Sequence, residues 1–188
     1  MNLIFFNKFF AFSLMFIPIF LITGPAIPDI IISFNVIYFL IFFLFIKKDF
    51  IFLKDKFFQI SILFWLSLIF ISFFAFDKIK SFQDSIIFIR FLMVPTIAFF
   101  LLINNEKKIQ ITIKIIFITV CFVTLDSLFQ YINYESETGF GKDILGFKPN
   151  WYGRLTGPFG DELIPGSYIS KFGLLGYLFC YYIKKSKF

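Results

Sequence analysis

The sequence predicts an all-helical membrane protein, a bundle of about six transmembrane helices with one long loop before the last helix. Of its 188 residues, 59% are hydrophobic, and the mean hydropathy is +0.87. A soluble domain keeps its apolar share near half, because its surface has to be covered with polar and charged groups. The apolar residues also fall in long runs, close to the roughly 20 residues that a helix needs to cross the hydrocarbon core.

Six segments have the length and composition of transmembrane helices. The first follows Lys8 and is similar to a signal peptide, but no small-residue cleavage pattern comes after it, and a second apolar run begins directly after the sequence GPAIPD. We therefore predict an uncleaved first helix. The predicted spans, all within a single membrane domain, are residues 9–27, 30–46, 57–76, 86–103, 109–132 and 167–183.

The distribution of Lys and Arg between the connecting segments predicts the orientation. With a cytoplasmic N-terminus, eleven Lys residues fall on the cytoplasmic side: Lys8, Lys47, Lys48, Lys54, Lys56, Lys107, Lys108, Lys114, Lys184, Lys185 and Lys187. Five basic residues fall on the outer side: Lys78, Lys80, Lys142, Lys148 and Arg154. We therefore predict a multi-pass protein of a bacterial inner membrane, with both termini cytoplasmic and the loop 133–166 periplasmic.

Composition excludes several kinds of site. The chain contains no histidine, which rules out a His-based triad, a His general base and a His metal ligand within it. Cys121 and Cys180 both lie in apolar runs and indicate neither a disulfide framework nor a metal centre. We predict no metal site, no cofactor and no nucleic-acid partner.

Two predicted spans carry charged residues near their outer ends. Arg90 either extends its guanidinium to the lipid headgroups or faces the bundle interior and offers hydrogen-bond donors to an anionic group. Asp126, Gln130 and Asn133 are spaced so that they share one helix face. Asp126 and Arg90 could also pair across the bundle, since each would otherwise be an unpaired charge in a poor solvent.

The long outer loop is rich in Gly and Pro, and the sequences KPNWYG and TGPFG are typical of turns. Trp151 and Tyr152 suit either the membrane–water interface or stacking on a sugar ring. Arg154 lies in the middle of this segment. Asp161 and Glu162 precede the last helix, where acids favour the helix dipole, and either is also a candidate general base.

Three pieces of sequence resemble the O-antigen ligase and O-antigen polymerase family of bacterial membrane glycosyltransferases. DSLFQY, residues 126–131, followed by GKDILG, residues 141–146, is similar to the D-x-x-x-Q and G-x-D-x-x-G patterns of these proteins. RLTGPFGDE, residues 154–162, resembles the family's R-x-x-G-x-F segment. The third piece is Arg90, in a helix that enters from the periplasmic side.

The resemblance implies an enzyme that transfers a glycan from undecaprenyl diphosphate to an acceptor glycan or lipid at the periplasmic face. Arg154 would contact the diphosphate, and Arg90 would do the same or hold the site. Arg suits this role because its planar fork binds a phosphate bidentately and stabilises the charge that develops on the departing diphosphate. Asp126, Gln130, Trp151 and Tyr152 are the candidate substrate-binding residues, and Glu162 is the third catalytic candidate.

Members of this family are longer, with a second periplasmic region that often carries a His. We therefore expect this chain to be the N-terminal portion of such an enzyme, completed by a C-terminal portion. Two other functions remain open: a small transporter or flippase component, with Arg90 and Asp126 along a polar path, and a non-catalytic membrane subunit or gene remnant. The polar residues gather at the predicted outer end of the spans, which favours an outward-facing site over a path through the membrane.

Overall fold

A computed structural model describes residues 3–48, 51–103, 105–137 and 139–186, and this part of the chain is helical without any strand. Within it, three helical segments are long and apolar enough to cross a membrane: Ala26–Lys47, Lys78–Leu102 and Glu106–Ile132. At this level the prediction of a helical membrane protein is confirmed. Helices suit a bilayer, since backbone that faces lipid has to satisfy its hydrogen bonds within the helix. The count of six spans and their orientation stay predictions.

Seven α-helices follow one another along the described residues, with short 3₁₀ or π segments at some of their ends. They are α1 (Leu3–Met15), α2 (Ile17–Phe20), α3 (Ala26–Ile41), α4 (Lys56–Ser72), α5 (Lys78–Ala98), α6 (Glu106–Ile132) and α7 (Pro165–Ser186). The π-helical segments Phe42–Lys47 and Phe99–Ile103 extend α3 and α5. The helices belong to two compact units: Met1–Leu14 with Asp29–Asn104, and Met15–Pro28 with Asn105–Phe188.

The first unit is held together by aromatic packing and by polar contacts between α4 and α5. The buried ring of Phe39 lies 4.5 Å from that of Phe43 and 5.4 Å from that of Phe52, centroid to centroid. In the hairpin formed by α4 and α5, the indole N–H of Trp65 donates to the Ser85 carbonyl oxygen at 2.9 Å. Helix α5 begins before the predicted span 86–103, because the Asp77 side chain caps it by accepting from the Lys80 N–H.

The second unit packs α6 against α7 and holds a long connection between them. A Cβ on Gly176 would lie 3.2 Å from the Ile116 side chain, so the two helices approach closely there. Nearer the connection, Val123, Phe159 and Tyr168 form a buried cluster. The Tyr168 hydroxyl donates to the Pro18 carbonyl oxygen at 2.6 Å, which ties α7 to α2 within this unit.

The connection runs from the end of α6 at Ile132 to Pro165, the first residue of α7, where a proline fits because its missing N–H needs no helical partner. Its one helical piece among the described residues is the 3₁₀ turn Gly157–Phe159. The predicted TGPFG turn coincides with this 3₁₀ segment, and bends and turns also cover Asn150–Gly153, within KPNWYG.

Candidate functional site

Two of the three polar residues predicted to share a face of α6 point into the second unit. Asp126 and Gln130, one helical turn apart, are both fully buried at 0% exposure. Asn133, which follows α6, is exposed, and its carbonyl oxygen accepts from the Gly141 N–H. The shared face is thus limited to Asp126 and Gln130, and the prediction was wrong for Asn133, because α6 ends one residue before it. The two buried side chains need hydrogen-bond partners inside the protein.

Gln130 finds its partners in the segment RLTGPF. Its Oε1 accepts hydrogen bonds from the backbone N–H groups of Thr156 and Gly157, each at 3.0 Å. Its Nε2 donates to the Thr156 hydroxyl at 3.2 Å. Thr156 is 0% exposed, so neither backbone group has water as a substitute partner. One amide side chain thereby fixes the loop just before its 3₁₀ turn.

Asp126 binds a second motif segment, GKDILG, through Oδ1, which accepts from the Ile144 N–H at 2.9 Å. The preceding residue, Asp143, is 3% exposed and folds its own turn. Its Oδ1 accepts from the Phe147 N–H at 2.6 Å, and its carbonyl oxygen accepts from the Gly146 N–H at 3.1 Å. The two loop segments are thus held by residues one turn apart on α6.

Two glycines allow the loop to approach α6 this closely. Gly157 has a φ of +52°, and a Cβ there would lie 2.6 Å from the Ser127 hydroxyl oxygen and 3.7 Å from Asp126 Oδ2. A Cβ on Gly141 would lie 2.9 Å from the Asn133 Cβ, a contact that real side chains do not make. Gly157 is needed both for its positive φ and for its lack of a Cβ, and Gly141 is needed for its lack of a Cβ.

The remaining predicted site residues of this unit are exposed on the same loop. Trp151 and Tyr152 are 57% and 71% exposed, and Arg154 and Glu162 are exposed as well. The Arg154 backbone N–H donates to the Trp151 carbonyl oxygen at 3.2 Å, which closes the turn between them. These four side chains can therefore meet a ligand, whereas Asp126 and Gln130 are buried and bond the loop.

Comparison of the chain with models of known protein families gives no match, and comparisons with curated proteins and with solved structures give none either. The family resemblance stays a prediction. The site has to be understood from its own geometry.

Arg90 belongs to the first unit, where it forms an ion pair with Asp29. Its Nη2 lies 2.7 Å from Asp29 Oδ2, its Nη1 donates to the Ser33 hydroxyl at 3.1 Å, and the guanidinium lies over the Phe91 ring at 4.7 Å. The Arg–Asp pair expected in the bundle thus uses Asp29, while Asp126 bonds Ile144. Because its charge is already balanced, Arg90 is a weaker candidate for an anionic ligand than Arg154.

Sequence reasoning missed four residues of these two sites: Asp29, Ser127, Asp143 and Thr156. Asp29 lies directly before the second predicted span, on the same predicted side of the membrane as Arg90. Their shared position on that side was a signal in the sequence that the two could pair. Asp143 is the acidic residue of the G-x-D-x-x-G pattern, and that pattern is its only signal in the sequence. Ser127 and Thr156 carry no signal in the sequence, because their burial follows from the path of the loop. Among the described residues, no group of three or more His, Cys, Asp or Glu could hold a metal ion.

An exposed ion pair lies at the start of the same connection. Lys148 Nζ donates to Glu135 Oε1 at 2.6 Å. This hydrogen bond raises the pKa of Lys148 above its ordinary value, and the negative charges of Glu135 and Glu137 act in the same direction. The pair joins the start of the loop to its middle at the surface, where such contacts contribute little to stability.

Proposed function

We propose that the second unit carries part of the site of a membrane glycosyltransferase that takes a glycan from undecaprenyl diphosphate and passes it to an acceptor glycan or lipid. In this proposal the loop between α6 and α7 faces the periplasm, and Arg154 binds the diphosphate. Trp151 and Tyr152 stack on sugar rings, and Glu162 is the candidate general base.

The observation that carries the proposal is the convergence of the motif segments. DSLFQY, GKDILG and RLTGPF are separated in sequence, yet Asp126 Oδ1 bonds the Ile144 N–H and Gln130 Oε1 bonds the N–H groups of Thr156 and Gly157. Segments that share a function have to meet in space. The buried members of the motifs form the support, and Arg154, two residues before Thr156, is left exposed beside it.

The chemistry of the exposed residues suits this substrate class. A diphosphate leaving group gains negative charge as the glycosidic bond breaks, and a guanidinium offers it two parallel N–H donors. Arg154 has no ion-pair partner among the described residues, so its charge is available to a ligand. The two exposed aromatic rings nearby provide flat apolar faces of the kind that stack on sugars.

Binding of undecaprenyl diphosphate to the purified protein in neutral detergent tests the proposal, with neutral undecaprenol as the matched probe for the chain alone. We expect the diphosphate to bind more tightly, and Arg154→Ala to weaken it about tenfold or more, since a charge-assisted hydrogen bond contributes about 1.5–3 kcal/mol. Arg154→Lys should recover only part of this affinity, because Lys lacks the bidentate fork.

The control is Lys142→Ala, which removes an exposed cation from the same loop. Equal affinity for the diphosphate and for undecaprenol, or equal losses in Arg154→Ala and Lys142→Ala, would contradict the assignment. In cells, Arg154→Ala is expected to stop glycan transfer while the level of inserted protein is unchanged.

Orientation is tested separately by reporter fusions. A fusion at residue 145 should be active only as a periplasmic reporter, and a fusion at residue 52 only as a cytoplasmic one. The opposite pattern would put Arg154 on the side that lacks the lipid-linked glycan and would refute the proposal.

A further inference from the structure

Residues 143–147 form a closed turn that leaves large apolar side chains exposed. Ile144 and Leu145 are each 53% exposed, and Phe147 is 51% exposed. The turn has a fixed shape, because the Asp143 N–H donates to the Phe147 carbonyl oxygen at 3.0 Å and Asp143 Oδ1 accepts from the Phe147 N–H at 2.6 Å. A fixed turn with three half-exposed apolar side chains indicates a surface that contacts another apolar phase.

One hydrogen bond sets the position of this turn along α6. The Ile144 N–H donates to Asp126 Oδ1 at 2.9 Å, and Asp126 lies well before Ile132, the last residue of α6. A helix rises about 1.5 Å per residue, so Asp126 is about 9 Å along the axis from that end. The connection therefore leaves α6 and returns along its side by more than one helical turn.

The length of α6 relates this position to the bilayer. Helix α6 is apolar enough to cross a membrane, and its 27 residues extend over about 40 Å. The hydrocarbon core is about 30 Å thick, and the headgroup regions bring the bilayer to about 40–45 Å. When α6 is centred in the bilayer, its last residue lies among the headgroups. Asp126, about 9 Å further in, lies near the boundary between headgroups and acyl chains, and so does the turn bonded to it.

The backbone of the turn is satisfied in the way that this depth requires. Outside a helix, backbone is tolerated there only if the protein supplies its hydrogen-bond partners. Four N–H groups of the turn donate to oxygen atoms of the protein, those of Asp143, Ile144, Gly146 and Phe147. The acceptors include the buried carboxylates of Asp126 and Asp143. An acid on an apolar helix thereby takes the place of the water that binds the backbone of an ordinary loop.

The basic residues beside the turn fit the same depth. Lys142 precedes the turn and Lys148 follows it, and both are exposed. Lys148 Nζ lies 2.6 Å from an oxygen of Glu135, a residue that follows the end of α6. A lysine beside an apolar segment at the membrane interface extends its amine towards the headgroups in this way.

We propose that residues 143–147 are a re-entrant turn, whose side chains Ile144, Leu145 and Phe147 contact lipid at the boundary between headgroups and acyl chains. The bilayer is the partner because the surface is apolar, flanked by lysines and bonded to a transmembrane helix below its end. The connection 133–166 then lies only partly in the aqueous compartment. The inference requires that α6 crosses the membrane and holds for either orientation, so it is independent of the proposed glycan transfer.

Spin labelling of the full chain in phosphatidylcholine vesicles measures the depth of the turn. A nitroxide is attached to Leu145→Cys, an exposed position, in a background with Cys121→Ala and Cys180→Ala. Its collision rate with oxygen, which concentrates in lipid, is compared with its collision rate with a water-soluble nickel chelate. The ratio of the two rates reports whether the label lies in lipid or in water.

Two other labelled positions provide matched references. Leu125→Cys is the lipid reference, because Leu125 is next to Asp126 on α6 and is 61% exposed. Ser136→Cys is the aqueous reference, because Ser136 is an exposed residue of the same connection, past the end of α6. We expect the oxygen-to-nickel ratio at position 145 to be close to that at position 125 and several times larger than that at position 136.

Variants of Asp126 test whether its hydrogen bond sets the depth. Asp126→Leu removes the acceptor of the Ile144 N–H, so the ratio at position 145 should fall towards the aqueous reference. Asp126→Asn keeps an acceptor oxygen without the charge, so the ratio should stay close to the value with Asp126 in place. If Asp126→Leu does not insert into the membrane, the comparison of position 145 with its two references still decides the proposal.

Three results would overturn the re-entrant turn. A ratio at position 145 equal to that at Ser136→Cys would place the turn in water. Low collision rates with both reagents would show that protein, a second copy of the chain included, covers the turn in place of lipid. An unchanged ratio at position 145 in inserted Asp126→Leu would show that the hydrogen bond to Ile144, from which the depth is argued, does not hold the turn.

Discussion

The amide of Gln130 offers the sharpest test of how the loop is held. Gln130→Leu keeps the size of the side chain but removes the acceptor for the Thr156 and Gly157 N–H groups. Both residues are buried, so the two donors stay without a partner. An unsatisfied buried donor costs about 1–3 kcal/mol, so the expected loss of unfolding free energy is about 2–6 kcal/mol. That is a large part of the stability of an ordinary domain.

The assay is thermal or denaturant unfolding of the purified protein in detergent, followed by helical circular dichroism. For a chain of this size, each 1 kcal/mol lowers the midpoint by about 2–4 °C, so Gln130→Leu should lower it by about 4 °C at the least. The matched control is Gln110→Leu on the same helix, where the side chain is exposed and the expected change is within about 0.5 kcal/mol.

A second readout separates the loop from the rest of the unit. Amide hydrogen exchange at Thr156 and Gly157 should accelerate in Gln130→Leu more than exchange in the middle of α6, because the mutation frees those two N–H groups specifically. Thr156→Val should cost less than Gln130→Leu, since it leaves only the Gln130 Nε2 group without its acceptor. Equal stability of Gln130→Leu and Gln110→Leu would refute the reasoning.

Three further predictions concern other contacts. Gly157→Ala should destabilise the protein by about 1 kcal/mol or more in thermal unfolding, because a φ of +52° strains any residue with a Cβ; an unchanged midpoint would contradict this. Asp29→Asn should cost about 1–2 kcal/mol, between the values for exposed and buried pairs, and a double-mutant cycle with Arg90→Gln should recover part of the loss. Glu135→Gln should lower the pKa of Lys148, measured by NMR of its methylated amine, towards the ordinary value. Because the pKa of Lys148 is raised in the folded protein, the stabilisation from this pair is fully present below the pKa of Lys148 in the unfolded chain. It is lost as the pH rises through the pKa of the folded state. Equal pKa values of Lys148 in the unmodified protein and in Glu135→Gln would show that the hydrogen bond is not made in solution.

Helices α3 to α7 could be predicted in outline from apolar runs because the bilayer sets their length and the connecting charges mark their ends. The predicted first helix, 9–27, is instead divided among the end of α1, α2 and the 3₁₀ turn Leu21–Thr23. Helix α6 begins at Glu106 and ends at Ile132, close to the predicted span 109–132. Helix α5 extends further than its predicted span because the cap at Asp77 starts it inside a charged segment that hydropathy does not assign to a membrane. The capping residue Asp77 could be recognised in the sequence, but the bounds of the predicted span were set by apolar composition alone.

The site could be predicted only in part, for a different physical reason. The four-residue spacing of Asp126 and Gln130 predicted a shared face, and both side chains are buried on it. Their partners could not be predicted, because the path of the loop depends on backbone conformations such as the positive φ of Gly157. The Asp29 partner of Arg90 lies 61 residues away, a separation over which periodicity carries no information.

The division between buried and exposed motif residues bears on how the loop could work. A loop that binds a charged ligand has to hold the binding side chain in one place. Otherwise the entropic cost of ordering that side chain weakens the binding. Arg154 lies two residues before Thr156, whose N–H is fixed by Gln130, and its own N–H closes a turn with Trp151. The backbone on both sides of Arg154 is therefore tied, while its guanidinium stays exposed. A solvated loop arginine needs no such support, and this is the strongest physical reason to test Arg154 before any other residue.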